Sequence, residues 1–100
     1  MSSNFESTLQ ETENVIFLLG LRFSGNQLKA IRQSSDRQSL KAAAVLALFG
    51  GEGSLNDNAF SDRDAPPGFT GEEATNLYFN TINALHDVAK KKAAKNSRQI

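Results

Sequence analysis

The stretch NVIFLLGLRF, residues 14–23, is the most apolar ten-residue segment of the chain, and the predicted fold depends on how it is interpreted. Large apolar side chains recur in steps of three and four residues from well before this segment, which is the spacing of one helix face. The spacing predicts a helix over residues 4–23 that stops at residues 24–26, Ser-Gly-Asn. The alternative is a buried strand over residues 14–19, for which no partner strand is evident. The apolar seam consists of Phe5, Leu9, Thr12, Ile16, Leu19 and Phe23.

The segment TGEEATNLYFNTINALHDVAKKKAAKNSR, residues 70–98, carries the clearest helix signal. Thr70 and Glu73 have the spacing of a capping box, in which each side chain accepts a hydrogen bond from the other residue's backbone N–H. The spacing predicts a helix over residues 71–94, about 36 Å long at 1.5 Å per residue. Residues 95–100 are expected to form a frayed basic tail. The predicted inward face consists of Ala74, Leu77, Tyr78, Thr81, Ile82, Leu85, Val88, Ala89 and Lys92.

Two shorter helices are predicted between these long ones. Asn26 can cap a helix over residues 27–34, and the segment SSD, residues 34–36, separates it from a helix over residues 36–49. One bent helix is the alternative. Every residue from Ala42 to Phe49 is apolar, so we expect this run to be enclosed on all sides.

A long acidic loop is predicted over residues 50–69, which are rich in Gly, Asp, Asn, Ser and Pro. Three large apolar residues in it, Leu55, Phe60 and Phe69, could pin it to the rest of the protein. The predicted fold is therefore all-α. It is one domain, residues 1–100, built as a small bundle of three long helices, or four if residues 27–34 form a separate helix.

Composition limits the location of the protein. The 39% hydrophobic content is enough for one packed core and argues against wholesale disorder. The chain has no cysteine, which excludes disulfides and thiolate chemistry. The polar, acidic N-terminal residues are unlike a secretory signal, and the ten-residue apolar segment is shorter than the roughly 20 residues that span a bilayer. We expect a cytoplasmic protein with no membrane partner.

Few residues point to catalysis or to a bound cofactor. His86 is the only histidine, and no serine lies in a nucleophile-elbow pattern. The adjacent Glu72 and Glu73 stand where carboxylates stabilise a helix N-terminus. Oxygen-bearing side chains cluster over residues 57–64, but their order does not match a calcium-binding loop. The sequence predicts no enzymatic activity, no metal and no cofactor.

The apolar surface of the predicted helices exceeds what one short chain can bury easily, which favours association with other macromolecules. We predict a non-enzymatic interaction protein, such as a small regulator, inhibitor or adaptor, that forms a homodimer and binds an unidentified protein partner. A monomer covered by residues 50–69 is the alternative. The predicted oligomer interface consists of Phe17, Leu21, Ala43, Ala44, Ala47 and Leu48. The predicted partner-binding residues are Asp57, Phe60, Asp62 and Asp64.

Nucleic-acid binding is the alternative function. Residues 27–49 could form a helix-turn-helix, and basic residues recur there and at the C-terminus. The zero net charge of the chain and the apolar character of the second helix after Lys41 oppose this hypothesis. The residues that would contact phosphates are Arg32, Arg37, Lys41, Lys90, Lys91, Lys92, Lys95 and Arg98.

Overall fold

The computed structural model describes residues 4–50, 55 and 60–97, with the side chains of residues 4 and 95–97 outside that description. This part of the chain contains four helices and no strand. They are α1 (Asn4–Leu18), α2 (Arg22–Gln33), α3 (Gln38–Ala47) and α4 (Gly71–Ser97). The predicted all-α class is confirmed. The short helix α2 is separate from α3, as the interruption at residues 34–36 predicted.

Gly20 ends α1, so the prediction of one helix over residues 4–23 is wrong. Gly20 has φ of +85°, a left-handed conformation that other residues rarely adopt. The backbone N–H of Gly20 donates to the Phe17 carbonyl at 3.0 Å, and that of Leu21 donates to the Ile16 carbonyl at 3.0 Å. This pair of bonds is the Schellman closure of a helix C-terminus. The strand alternative is also wrong, because residues 14–18 are helical.

The chain resumes as a helix at once, so residues 24–26 lie inside α2 instead of ending a helix, and Asn26 caps nothing. The seam residues of α1 up to Leu19 are buried as predicted. Phe23 lies beyond the break, where the direction of the chain has changed. Its side chain is 74% exposed and takes no part in the core.

Helix α4 is the spine of the bundle, and α1 and α3 each pack extensively against it while α2 joins them. Its 27 residues correspond to about 40 Å, close to the longest dimension of the molecule, 48 Å. The helix continues to Ser97, so residues 95–97 are helical and not frayed. Residues 98–100 lie outside the described part. The α4 side chains buried in the core are Ala74, Tyr78, Ile82, Leu85 and Ala89.

The segment before α4 is held to the spine at several points. Leu55 is buried, and its carbonyl accepts a 2.7 Å hydrogen bond from the Tyr78 hydroxyl. The backbone N–H of Phe60 donates to Thr75 Oγ1 at 3.0 Å. Phe60 and Phe69 are half-buried against the core, so all three predicted anchors are confirmed. Residues 51–54 and 56–59 of the predicted loop lie outside the described part.

The capping box at the start of α4 is confirmed. The Glu73 N–H donates to Thr70 Oγ1 at 3.1 Å, and the Thr70 N–H donates to Glu73 Oε1 at 3.0 Å. Gly71 is the first residue of α4, and it lies in close contact with the segment that precedes the helix. A Cβ atom at Gly71 would lie 2.6–2.7 Å from backbone atoms of residues 60–62, so only glycine fits this approach.

Candidate interaction surface

On helix α3 the charged side chain is buried and apolar side chains are exposed, which is the reverse of the usual arrangement on a surface helix. Its only charged residue, Lys41, is 7% exposed, while its neighbour Leu40 is 50% exposed. Three alanines follow Leu40 on the same side of the helix at helical spacing, and all three are exposed. Within a single chain, residues 42–49 are therefore not enclosed on all sides. We call this surface the α3 outer face; it consists of Leu40, Ala43, Ala44 and Ala47.

Lys41 turns inward because it finds a partner at the end of the preceding helix. Its Nζ donates a 2.7 Å hydrogen bond to the backbone carbonyl of Arg32, which lies in the last turn of α2. Carbonyls at a helix C-terminus lack partners within their own helix and carry partial negative charge, so an ammonium group is favoured there. The contact joins α2 to α3 and leaves the α3 outer face without a charged side chain.

The Arg32 side chain also forms hydrogen bonds within the chain, to a glutamate of α1. Its guanidinium Nε donates to Glu13 Oε2 at 2.6 Å, and its Nη2 donates to Glu13 Oε1 at 3.0 Å. This fork-shaped contact joins α1 to α2 at a buried carboxylate. The hydrogen bond with Glu13 raises the pKa of Arg32 above its usual value, with desolvation opposing and the charge of Glu6 assisting. Arg32 therefore stays charged and paired.

The residues predicted to bind nucleic acid thus differ in their surroundings. Arg32 and Lys41 make intrachain bonds. Arg37, Lys90 and Lys91 are exposed, and Lys92 is half-buried. The side chains of Lys95 and Arg98 lie outside the described part. The structure does not bring the basic residues together on the α3 outer face, which is apolar.

Of the acidic residues predicted to bind a partner, Asp62 and Asp64 lie in the segment that precedes α4. Asp62 Oδ1 accepts a 2.6 Å hydrogen bond from the Gly71 N–H, and Asp64 Oδ2 accepts one of 3.0 Å from the Ser61 hydroxyl. Phe60 packs edge-on against Tyr78, with ring centroids 6.1 Å apart. These contacts give the acids a local structural role. Asp57 lies outside the described residues.

The predicted oligomer residues fall into two groups. Ala43, Ala44 and Ala47 belong to the α3 outer face. Leu48 is half-buried against the core, as is Leu21 near the α1–α2 corner. Phe17 is 37% exposed at this corner, and its ring covers Gly25 so closely that a Cβ atom there would lie 2.8 Å from it.

A second exposed apolar group lies at the α1–α2 corner. Leu18 is 59% exposed, and it flanks the break in the chain with Phe17 and Phe23. Sequence reasoning missed Leu18, Phe23 and Leu40 as surface residues. The sequence does contain a signal for Leu18 and Phe23, because a glycine followed by a leucine fits a helix end with a Schellman closure. No comparable signal exists for Leu40.

The described residues show no arrangement with an evident catalytic or metal-binding geometry. The His86 ring packs edge-on against Phe49, with centroids 4.8 Å apart. No group of three or more His, Asp or Glu side chains is placed to hold a metal within this part of the chain. No helix in the described ranges is both long and apolar enough to cross a membrane.

Comparison of the chain with models of known protein families, with curated proteins and with solved structures found no match.

Proposed function

We propose that the protein is a non-enzymatic helical interaction module, acting as a small regulator, inhibitor or adaptor, that forms a symmetric homodimer through the α3 outer face. The observation that supports this proposal is the reversed polarity of α3, with Lys41 buried and Leu40 exposed. A surface helix of a monomer normally presents charged and polar residues to water. Here the most exposed side chains of the helix are all apolar, and their burial would stabilise a dimer at about 25 cal/mol per Å².

The α3 outer face is complementary to itself in size. If two copies of α3 pack antiparallel with the two-fold axis between Ala43 and Ala44, Leu40 of each copy lies opposite Ala47 of the other. The alanines allow the two backbones to approach closely, and the leucines fill the space at each end. Arg37, just before α3, would then lie near the negative C-terminal end of the opposite helix. Two ten-residue helices bury less than the roughly 1,200 Å² of a standard interface, so we expect dissociation in the micromolar range.

Sedimentation equilibrium from micromolar to millimolar protein tests this proposal, with Leu40→Gln as the variant. Burying a whole leucine contributes about 1.5–3 kcal/mol, so the exposed half of Leu40 contributes about 0.8–1.5 kcal/mol in each copy. Two copies lose about 1.5–3 kcal/mol, which weakens the dimer about 10- to 100-fold.

Leu18→Gln is the matched control, because it makes the same substitution at a similarly exposed leucine on the α1–α2 corner. We expect it to leave the dimer unchanged. A wild-type monomer at all concentrations would overturn the proposal. So would a dimer weakened by Leu18→Gln and not by Leu40→Gln, since the corner would then be the interface.

Nucleic-acid binding is the second candidate, favoured by the exposed Lys90 and Lys91 on α4. The commitment of Arg32 and Lys41 to intrachain bonds opposes it. Retention on heparin distinguishes the two candidates. If phosphate binding occurs, replacing both Lys90 and Lys91 by glutamine lowers retention and reduces the salt dependence by about 0.9 per lost contact. The same substitution at the exposed Lys29 is the control.

A further inference from the structure

Helices α1 and α4 leave an open groove of about 500 Å³ between them. The groove exists because short side chains line it where the helices run together, chiefly Thr12 and Val15 of α1 and Thr81 and Ala84 of α4. Its volume lies within the roughly 300–1,000 Å³ of small-ligand sites. It is separate from the α3 outer face, since no α3 residue lines it.

The inner lining of the groove offers mainly apolar groups to a ligand. The Thr12 hydroxyl donates to the Thr8 carbonyl at 2.8 Å, and the Thr81 hydroxyl donates to the Leu77 carbonyl at 2.6 Å. Both protons are therefore used within their own helices. Thr12 is fully buried beneath the groove, so a ligand there would meet mostly the methyl groups of Val15, Thr81 and Ala84.

The rim of the groove is polar and acidic. Glu11 is exposed and has no salt-bridge partner among the described residues, and α1 contains no lysine or arginine. Asn14 Oδ1 accepts a long bond of 3.4 Å from Gln10 Nε2, and the Asn14 amide protons make no hydrogen bond to a described residue. Asn80 lies on the α4 side, and its side chain makes no hydrogen bond to another described residue. The groove thus combines a carboxylate with amides on both sides.

We infer that this groove binds a short extended segment of another protein that carries a lysine or arginine. Such a side chain has an apolar stem, suited to the methyl-lined interior, and a cationic end, suited to Glu11. The amides of Asn14 and Asn80 can bond to the peptide main chain. From Thr8 to Val15 the groove follows α1 for about 10 Å, the length of three extended residues at about 3.3 Å each.

Charge complementarity selects this occupant. Of the three glutamates on α1, Glu11 lines the groove, whereas Glu13 is paired with Arg32, and α1 carries no base. The inference specifies the kind of partner for the interaction role proposed above and rests on that role. The peptide site and the proposed dimer interface are different surfaces. A monomer that binds the peptide would therefore overturn the dimer alone, and a dimer that ignores the peptide would overturn this inference alone.

Amide NMR titration tests the inference with an acetylated, amidated pentapeptide that has arginine at its centre and alanine elsewhere. The matched probe replaces arginine by citrulline, which keeps the shape and removes the charge. We expect saturable shifts confined to the amides around Glu11, Asn14 and Asn80, with clearly weaker binding of the citrulline peptide. Glu11→Gln is expected to weaken binding of the arginine peptide about two- to five-fold. The exposed Glu72→Gln, at the start of α4, is the control and leaves the affinity unchanged.

A blocking variant tests the position of the site. Ala84→Leu fills the groove from α4 and is expected to abolish saturation, while Ala94→Leu, the same change further along the helix, has no effect. Asn80→Ala, expected to weaken binding, replaces the blocking variant if thermal unfolding shows that Ala84→Leu does not fold.

The inference would be overturned by the absence of saturable shifts, by equal binding of the citrulline peptide, or by shifts centred on residues 62–64 instead of the groove. Groove amides that shift with protein concentration alone would also overturn it, because the occupant would then be a second copy of the chain.

Discussion

Replacing Gly71 by alanine tests how the loop meets α4, because helix propensity and tertiary packing predict opposite outcomes. Alanine is favoured over glycine within a helix by up to about 1 kcal/mol, so propensity alone predicts a gain in stability. The structure predicts a loss. A Cβ atom at position 71 would lie 2.6 Å from the Ser61 carbonyl carbon and 2.7 Å from the Asp62 nitrogen and the Phe60 oxygen.

The magnitude follows from these distances. Ordinary contact begins at 3.4 Å, so the loop backbone must move by about 0.8 Å. Overpacking of this kind costs about 1–3 kcal/mol. The movement also strains the 2.6 Å bond from the Gly71 N–H to Asp62. After subtracting the propensity gain, we expect the free energy of unfolding to fall by about 1 kcal/mol. For a domain of this size the melting temperature falls by about 4–8 °C.

Urea and thermal unfolding followed by circular dichroism measure this change. Gly50→Ala is the matched control, because nothing lies within 4 Å of a Cβ atom there. We expect its stability to stay within about 0.5 kcal/mol of the wild type. If Gly71→Ala proves as stable as the wild type, or more stable, then residues 60–62 do not pack on the start of α4 and the reasoning fails.

Two further substitutions test the contacts that hold the bundle together. Tyr78→Phe removes the hydroxyl bond to the Leu55 carbonyl and is expected to lower the free energy of unfolding by about 1–3 kcal/mol; an unchanged value would show that Leu55 is not held there. Lys41→Ala removes the bond to the Arg32 carbonyl and is expected to cost about 1.5–3 kcal/mol, measured by urea unfolding. The exposed Lys29→Ala is its control, and equal effects of these two lysine substitutions would contradict the role of Lys41.

Much of the architecture could be predicted from the sequence because it depends on short-range signals. The capping box at Thr70 and Glu73 needs only a spacing of three residues, and the structure shows both of its hydrogen bonds. The three loop anchors could be predicted because large apolar residues in a polar segment have few other places to go. The exposure of Ala43, Ala44 and Ala47 agrees with a place on the surface, while the dimer itself remains a prediction.

The α1–α2 corner could not be predicted from spacing. The interval from Leu19 to Phe23 continues the helical pattern whether or not the helix breaks between them. Gly20 is compatible with both outcomes, as a weak helical residue or as a left-handed terminus. The break was decided by packing, since α2 turns back to place Leu28 in the core and Arg32 on Glu13.

The sequence by itself determined that this chain is helical, where α4 begins, and most of the residues of α1 and α4 that form the core. The periodicity and the cap that carry this information are local. Only the tertiary structure decided which side of α3 faces water. Leu40 and Lys41 are neighbours just before an apolar run, and either could have pointed inward. Lys41 is buried because the Arg32 carbonyl, at the C-terminal end of α2, is close enough to accept its hydrogen bond. A contact between two helices does not affect the spacing of apolar residues within either helix, so the sequence pattern could not reveal it.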